Sequence, residues 1–106
     1  MRRELMALLS RYQVLVGPAV GAQAPLLHQA ALVSGELDTR AIAQLAAVIF
    51  VTNLTGHPCC VVPCVRDGAP MGVQIIGRHG AEATVLAAAR LIEQAFGPRR
   101  PPRWHG

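Results

Sequence analysis

With 106 residues the chain has room for one domain, and 52% hydrophobic against 15% charged residues supplies enough apolar side chain for a core, which excludes disorder as its main state. All ten basic residues are arginine, so chemistry that needs a lysine amine is beyond this chain alone. The net charge of +4 is scattered apart from Arg2-Arg3 and the tail Arg99-Arg100-Pro-Pro-Arg103, and four aromatic residues leave little to stack on bases, so no nucleic-acid partner is expected.

Residues 2–12 read as a helix, with Leu5, Leu8, Leu9 and Tyr12 recurring at three and four. The same start mimics a secretory signal, but Glu4 lies in its basic region and Ser10-Arg11-Tyr12-Gln13 cuts the apolar run short. The longest uninterrupted apolar run, Leu45 to Val51, is far below the ~18 residues of a membrane span. No membrane partner and a cytoplasmic location are therefore expected. Residues 12–16 read as a short strand closed by Gly17-Pro18. Residues 17–38 show no period and read as a loop, long enough to imply that it crosses a surface this chain does not supply.

Asp38 or Thr39 is a good N-cap for a helix running to about Val51, with Ile42, Leu45, Ala46, Ile49 and Phe50 on one face. The segment from Thr52 to Pro58 breaks it. Residues 59–65 and 71–76 read as strands joined by the turn Arg66-Asp67-Gly68-Ala69-Pro70, which predicts an antiparallel hairpin with Val73 and Ile75 on one face and Gln74 and Ile76 on the other. Both strands are apolar almost throughout, the pattern of strands covered on both faces. A helix follows over about 81–96, with Val85, Ala88 or Ala89, Ile92 and Phe96 in one stripe, Glu82 in its first turn and Gly97-Pro98 as its stop. Residues 98–106 form a Pro/Arg-rich tail.

Cys59, Cys60 and Cys64 are an odd set with two adjacent members, a poor disulfide framework that points to a reducing compartment. Strand alternation puts Cys59 on one face and Cys60 and Cys64 on the other, those two roughly 13 Å apart at ~3.3 Å per residue. That is too far to share a zinc ion, so no metal site is expected and the three read as small apolar residues of a buried strand.

Two strings of residues say more. Gly56-His57-Pro58 makes a helix-to-strand corner, glycine giving free dihedrals and proline fixing the entry to the strand. Gly72 and Gly77 allow close approach in a crowded sheet, and Asn53 and Thr55 can satisfy loop backbone groups. The ordered string Asn53-Leu-Thr-Gly-His-Pro58, Val62-Pro-Cys64, Asp67-Gly-Ala-Pro-Met-Gly-Val-Gln-Ile-Ile-Gly-Arg78 and a following helix closely resembles the C-terminal end of the amidase signature family. Tyr12 to Pro18 is similar to an upstream strand of the same family, so the resemblance runs from about residue 12 to 97. Cys59 and Val61 depart from it, standing where members often carry a small residue and a hydroxyl.

The resemblance implies an α/β fold: the C-terminal part of a mixed sheet covered by helices, with residues 1–97 an incomplete segment of an amidase-like domain. It implies a parent activity of carboxamide C–N hydrolysis by a serine nucleophile, activated by a second serine and a lysine and served by glycine-rich oxyanion donors, all upstream of this region. This chain has no lysine, and its only serines, Ser10 and Ser34, lie outside any glycine-serine loop. Spacing joins neither of them to His28, His57, His79 or His105. No catalytic residue is assigned, no cofactor is implied, and Asn53 and Thr55 are the candidate substrate-pocket wall. The expected partners are the missing N-terminal part of the domain or a second copy, with a small amide as substrate only in the complete enzyme. The alternatives are an amidase-like subunit fragment of a transfer-RNA-dependent amidotransferase and a noncatalytic interaction module whose proline-arginine tail is read in extended form. As a segment of a larger enzyme, the chain is expected to leave apolar faces uncovered.

Overall fold

Four consecutive residues of one strand, Gln74 to Gly77, are buried, which marks that strand as the centre of the sheet. The computed structural model describes residues 1–24, 38–64 and 68–97. In chain order these form α1 (Arg2–Arg11), β1 (Val14–Pro18), α2 (Thr39–Ala46), α3 (Ile49–Thr55), β2 (Cys59–Pro63), β3 (Gly72–Gly77) and α4 (Glu82–Phe96). The strands make one sheet in the order β1-β3-β2, antiparallel at both joins. The expected hairpin is β2 paired with β3, Cys60 opposite Ile75 and Val62 opposite Val73.

Alternation along β3 divides the core as its sequence predicts. Ile75 packs with Val62, Val85 and Ala89, joined by half-buried Val14, Cys60, Val73, Ala88 and Ile92, so α4 covers this face. Ile76 points the other way, to Leu5 and Leu9 of α1, with Leu15 and Val51 beside them. α4 lies close to the sheet because Gly77 has no side chain: a Cβ there would overlap the Val85 Cγ2 methyl. Val85 is itself buried and β-branched, so it cannot swing aside. Gly77→Ala is expected to cost about 1–3 kcal/mol as an overpacking change. A urea midpoint unchanged from the parent would show that the two layers have slack.

Several expectations need correction. The strand before Gly17-Pro18 includes those two residues and begins at Val14, with Tyr12 ending α1 in an extended conformation. Its apolar run, which shows no partner in the sequence, pairs with β3, Leu15 opposite Ile76 and Val16 opposite Ile75. The hairpin, expected to be covered on both faces, is covered on its second face only at β3, where α1 and Val51 pack on Ile76; Cys59 and Val61 of β2 are exposed there. The helix expected over 38–51 is two helices. Asp38 does cap the first, its carboxylate accepting the Ala41 N–H at 3.0 Å. The break at Ala47 and Val48 falls where distant donors reach carbonyls: Gly21 N–H bonds Leu45 O at 3.4 Å and Gln74 Nε2 bonds Val48 O at 3.5 Å. The second helix runs on to Thr55. The Thr52 and Thr55 hydroxyls donate back to the carbonyls of Ile49 and Val51, which lets these residues sit in a helix. Gly56, at φ 70°, then stops it with its N–H on Thr52 O.

The expected loop over 17–38 is described only to residue 24, and residues 25–37, 65–67 and the tail 98–106 lie outside the described residues. No described helix is long and apolar enough to cross a membrane. Much apolar surface is left open: Ile42, Ile49 and Phe50, expected to share one face of a helix, are all exposed, and Leu54 and Leu91 are 72% and 69% exposed.

Candidate functional site

Three segments far apart in sequence meet at the end of α1. Arg78, the first residue after β3, donates from Nε to Leu9 O and from a terminal nitrogen to Ser10 O at 3.4 Å. A side chain from across the sheet thus caps the last carbonyls of the helix, a place where cations are favoured. The next residue, His79, lays its ring on His57 with centroids 4.0 Å apart and planes tilted by 35°. Met6, Leu9, Ser10, His57, Arg78 and His79 line a cleft of about 400 Å³ beside them.

His57 is the unusual member. It is buried, held by the Gly56-Pro58 corner, and its Nδ1 has no hydrogen-bond partner. Burial first, then the charges of His79 and Arg2, push its pKa below the ordinary imidazole value of 6.5. The sign of the pH effect follows. On unfolding, His57 takes up a proton near 6.5 while the folded chain still resists it, so the unfolded state binds more protons in the window below that value. Stability is expected to fall as the pH drops from about 6.5 through the lower folded-state value, and to be unaffected by His57 above it. Urea midpoints at neutral and at mildly acidic pH check this. The acid loss should shrink in His57→Asn, and an equal loss in variant and parent would assign the effect to other groups.

Ser10 shares the cleft with both imidazoles, a meeting that sequence spacing does not reveal. Its hydroxyl donates to Ala7 O at 2.7 Å, one turn back in the helix, so the proton is held there and not by either ring. Among the described residues no three His, Cys, Asp or Glu side chains could hold a metal together. Ser34, His28 and His105 lie outside the described residues.

A second polar node lies in the layer between β3 and the α2-α3 break. The buried Gln74 donates from Nε2 to Pro18 O at 3.0 Å and accepts a weak bond from the Cys59 thiol, 3.5 Å from Oε1. Cys59 as a residue is exposed, yet its sulfur rests on this amide; burial, then neighbouring Cys60, raise the thiol pKa. A thiol held protonated is a poor nucleophile. Of the candidate pocket residues, Asn53 is exposed on α3, whereas Thr55 is buried with its hydroxyl on Val51 O at 2.6 Å. A 310 Å³ hollow lies elsewhere, between the segment 18–23 and Pro70 to Gly72. The signal for the cleft in the sequence is slight: two histidines next to glycine, in Gly56-His57 and His79-Gly80.

Comparison with known proteins places this arrangement. The chain is 38% identical to a fatty acid amide hydrolase of Medicago truncatula over 94% of its own length and 17% of that protein. It is 35% identical to a glutamyl-tRNA(Gln) amidotransferase subunit of Geobacillus stearothermophilus over 89% of its length and 19% of that protein. The crystal structure of the corresponding Thermotoga maritima protein superposes with a TM-score of 0.72 at 29% identity, covering 88% of this chain and 20% of that one. The chain therefore spans about a fifth of the length of the relatives it matches. The family model for Amidase matches residues 1–86, through α1, the three strands and the first turn of α4. By that match, and by an α/β fold shared with a solved relative, the chain belongs to the amidase family.

Proposed function

We propose that residues 1–97 are the C-terminal segment of an amidase domain that hydrolyses a carboxamide C–N bond, and that they do no hydrolysis by themselves. The absence of lysine from all 106 residues carries the reading. Amide hydrolysis by a serine needs a base for the hydroxyl proton and donors for the developing oxyanion. Ser10 is bonded to its own helix, and no base is bonded to it among the described residues. The segment's part is then to complete the sheet and its covering layers, while the nucleophile, the lysine and the oxyanion donors come from polypeptide outside this chain. Within the assembled domain Asn53, exposed on α3, is the pocket candidate free to meet an amide, and Thr55 holds the end of that helix.

The purified chain is expected to release no ammonia or amine from simple carboxamides above a buffer blank. Turnover that disappears in Ser10→Ala would overturn the reading, because it would place a working nucleophile within these residues.

A further inference from the structure

The cleft at the end of α1 is rich in cationic groups, and none of the residues that line it is acidic. His57, Arg78 and His79 supply its polar wall, Met6 and Leu9 its apolar one. Arg2 is a further cation, near enough to oppose a proton on His57. Among the described residues neither Arg2 nor Arg78 pairs with an Asp or Glu. Uncompensated cations in a concave site draw in an anion.

The donors are held in place before any ligand arrives. The bonds to Leu9 O and Ser10 O fix the Arg78 guanidinium and leave the remaining N–H groups at its end without a partner among the described residues. His79, itself exposed, is braced by its stack on His57, which the Gly56-Pro58 corner holds buried. Ser10 adds no donor, because its hydroxyl proton is on Ala7 O. Nothing in the cleft offsets charge on the imidazole pair: the buried His57 Nδ1 has no hydrogen-bond partner, and His79 and Arg2 both act against a proton on that ring. A bound anion would offset it. The end of a fixed guanidinium matches the two oxygens of a carboxylate. Met6 and Leu9 give the site an apolar side that a bare inorganic ion would not use, and about 400 Å³ has room for a short hydrocarbon tail.

We propose that the cleft of Met6, Leu9, His57, Arg78 and His79 binds a small carboxylate with a short apolar tail, its oxygens on the end of the Arg78 guanidinium and on the His79 ring, its tail against Met6. A carboxylate is the class of product that carboxamide hydrolysis releases, but the site stands on its own lining and does not rest on that reading.

The test is to titrate the full 106-residue chain with hexanoate and to follow the imidazole and methionine methyl signals by NMR. Saturable shifts are expected at Met6 and His79. At saturation the protonation midpoint of His57 should move up by about half a pH unit or more, since a nearby anion favours the imidazolium. His79→Phe keeps a ring on His57 but removes its N–H, and should weaken hexanoate by about tenfold or more. Arg78→Lys keeps the charge but loses the planar N–H groups, and should weaken it by a similar factor. Leu91→Ala, on the α4 side of the sheet, should leave the affinity unchanged. Unchanged amide protection at Ile75 shows that each variant is folded; if Arg78→Lys loses it, His79→Phe, altered at an exposed ring, decides. Hexylammonium should leave these signals in place, and equal shifts from it would reduce the cleft to apolar contact and overturn the proposal. Inorganic phosphate bound as tightly as hexanoate would make this a general anion site and overturn the carboxylate. Absence of a saturable shift at Met6 and His79, or full affinity in His79→Phe, overturns the site itself. None of these outcomes depends on whether the chain hydrolyses an amide.

Discussion

Ile75→Ala is expected to cost about 2–5 kcal/mol, a large share of the ~5–15 kcal/mol that holds a whole domain together. Ile75 is fully buried in the middle of the central strand, with Val16 of β1 and Cys60 of β2 opposite it in register. It packs with Val62, Val85 and Ala89, so truncation leaves a cavity bounded by two layers of backbone that cannot collapse onto it. Leu91→Ala removes a side chain of comparable size from a site 69% exposed and should move stability by no more than about 0.5 kcal/mol. Denaturant midpoints of the two variants check the contrast, and equal losses would mean that the β3-α4 layer is not the core of this chain.

Gln74 is the second position where a large effect is expected, for a different reason. Its neighbour Ile75 fills the apolar layer under α4, whereas Gln74 carries an amide into the opposite layer, where its Nε2 serves the carbonyls of Pro18 and Val48. Gln74→Met keeps the length and shape of the side chain but leaves those acceptors without a donor, at about 1–3 kcal/mol for a buried one. Gln74→Glu should be worse at neutral pH, since a carboxylate would face two carbonyl oxygens, and part of its loss should return on acidification. Thermal melts of the three proteins at two pH values read both effects. A Gln74→Met protein as stable as the parent would show that water or a rearranged backbone satisfies those carbonyls equally well.

These two neighbours also mark how far local sequence reaches. The period of two along 71–76 assigns Ile75 and Gln74 to opposite faces, and that assignment holds because it depends only on the pleat of a single strand. The same kind of local chemistry makes the β2-β3 hairpin, the Asp38 cap, the stop of α4 at Gly97 and the glycine-histidine-proline corner legible, each set within a few residues. The ordered glycines and prolines of that corner and of β3 carry the family as well.

Tertiary structure decided what those patterns leave open. Alternation names the faces of a strand but not the neighbour along either edge, because backbone N–H and C=O groups are the same in nearly every residue. Only the fold shows that β1 lies against β3 and that, among the described residues, β2 has no strand on its outer side. The same holds for the interruption between α2 and α3, through which the apolar run Leu45 to Val51 continues without a glycine or proline. Its carbonyls are taken by Gly21 and Gln74, donors that folding brings from more than twenty residues away. The cleft of Ser10, His57, Arg78 and His79 is likewise assembled from three distant segments. Sequence by itself determined the β2-β3 hairpin, the two faces of β3, the local caps and stops, and the family; the place of β1, the interruption between α2 and α3 and the imidazole cleft were decided by contacts between residues that no local period relates.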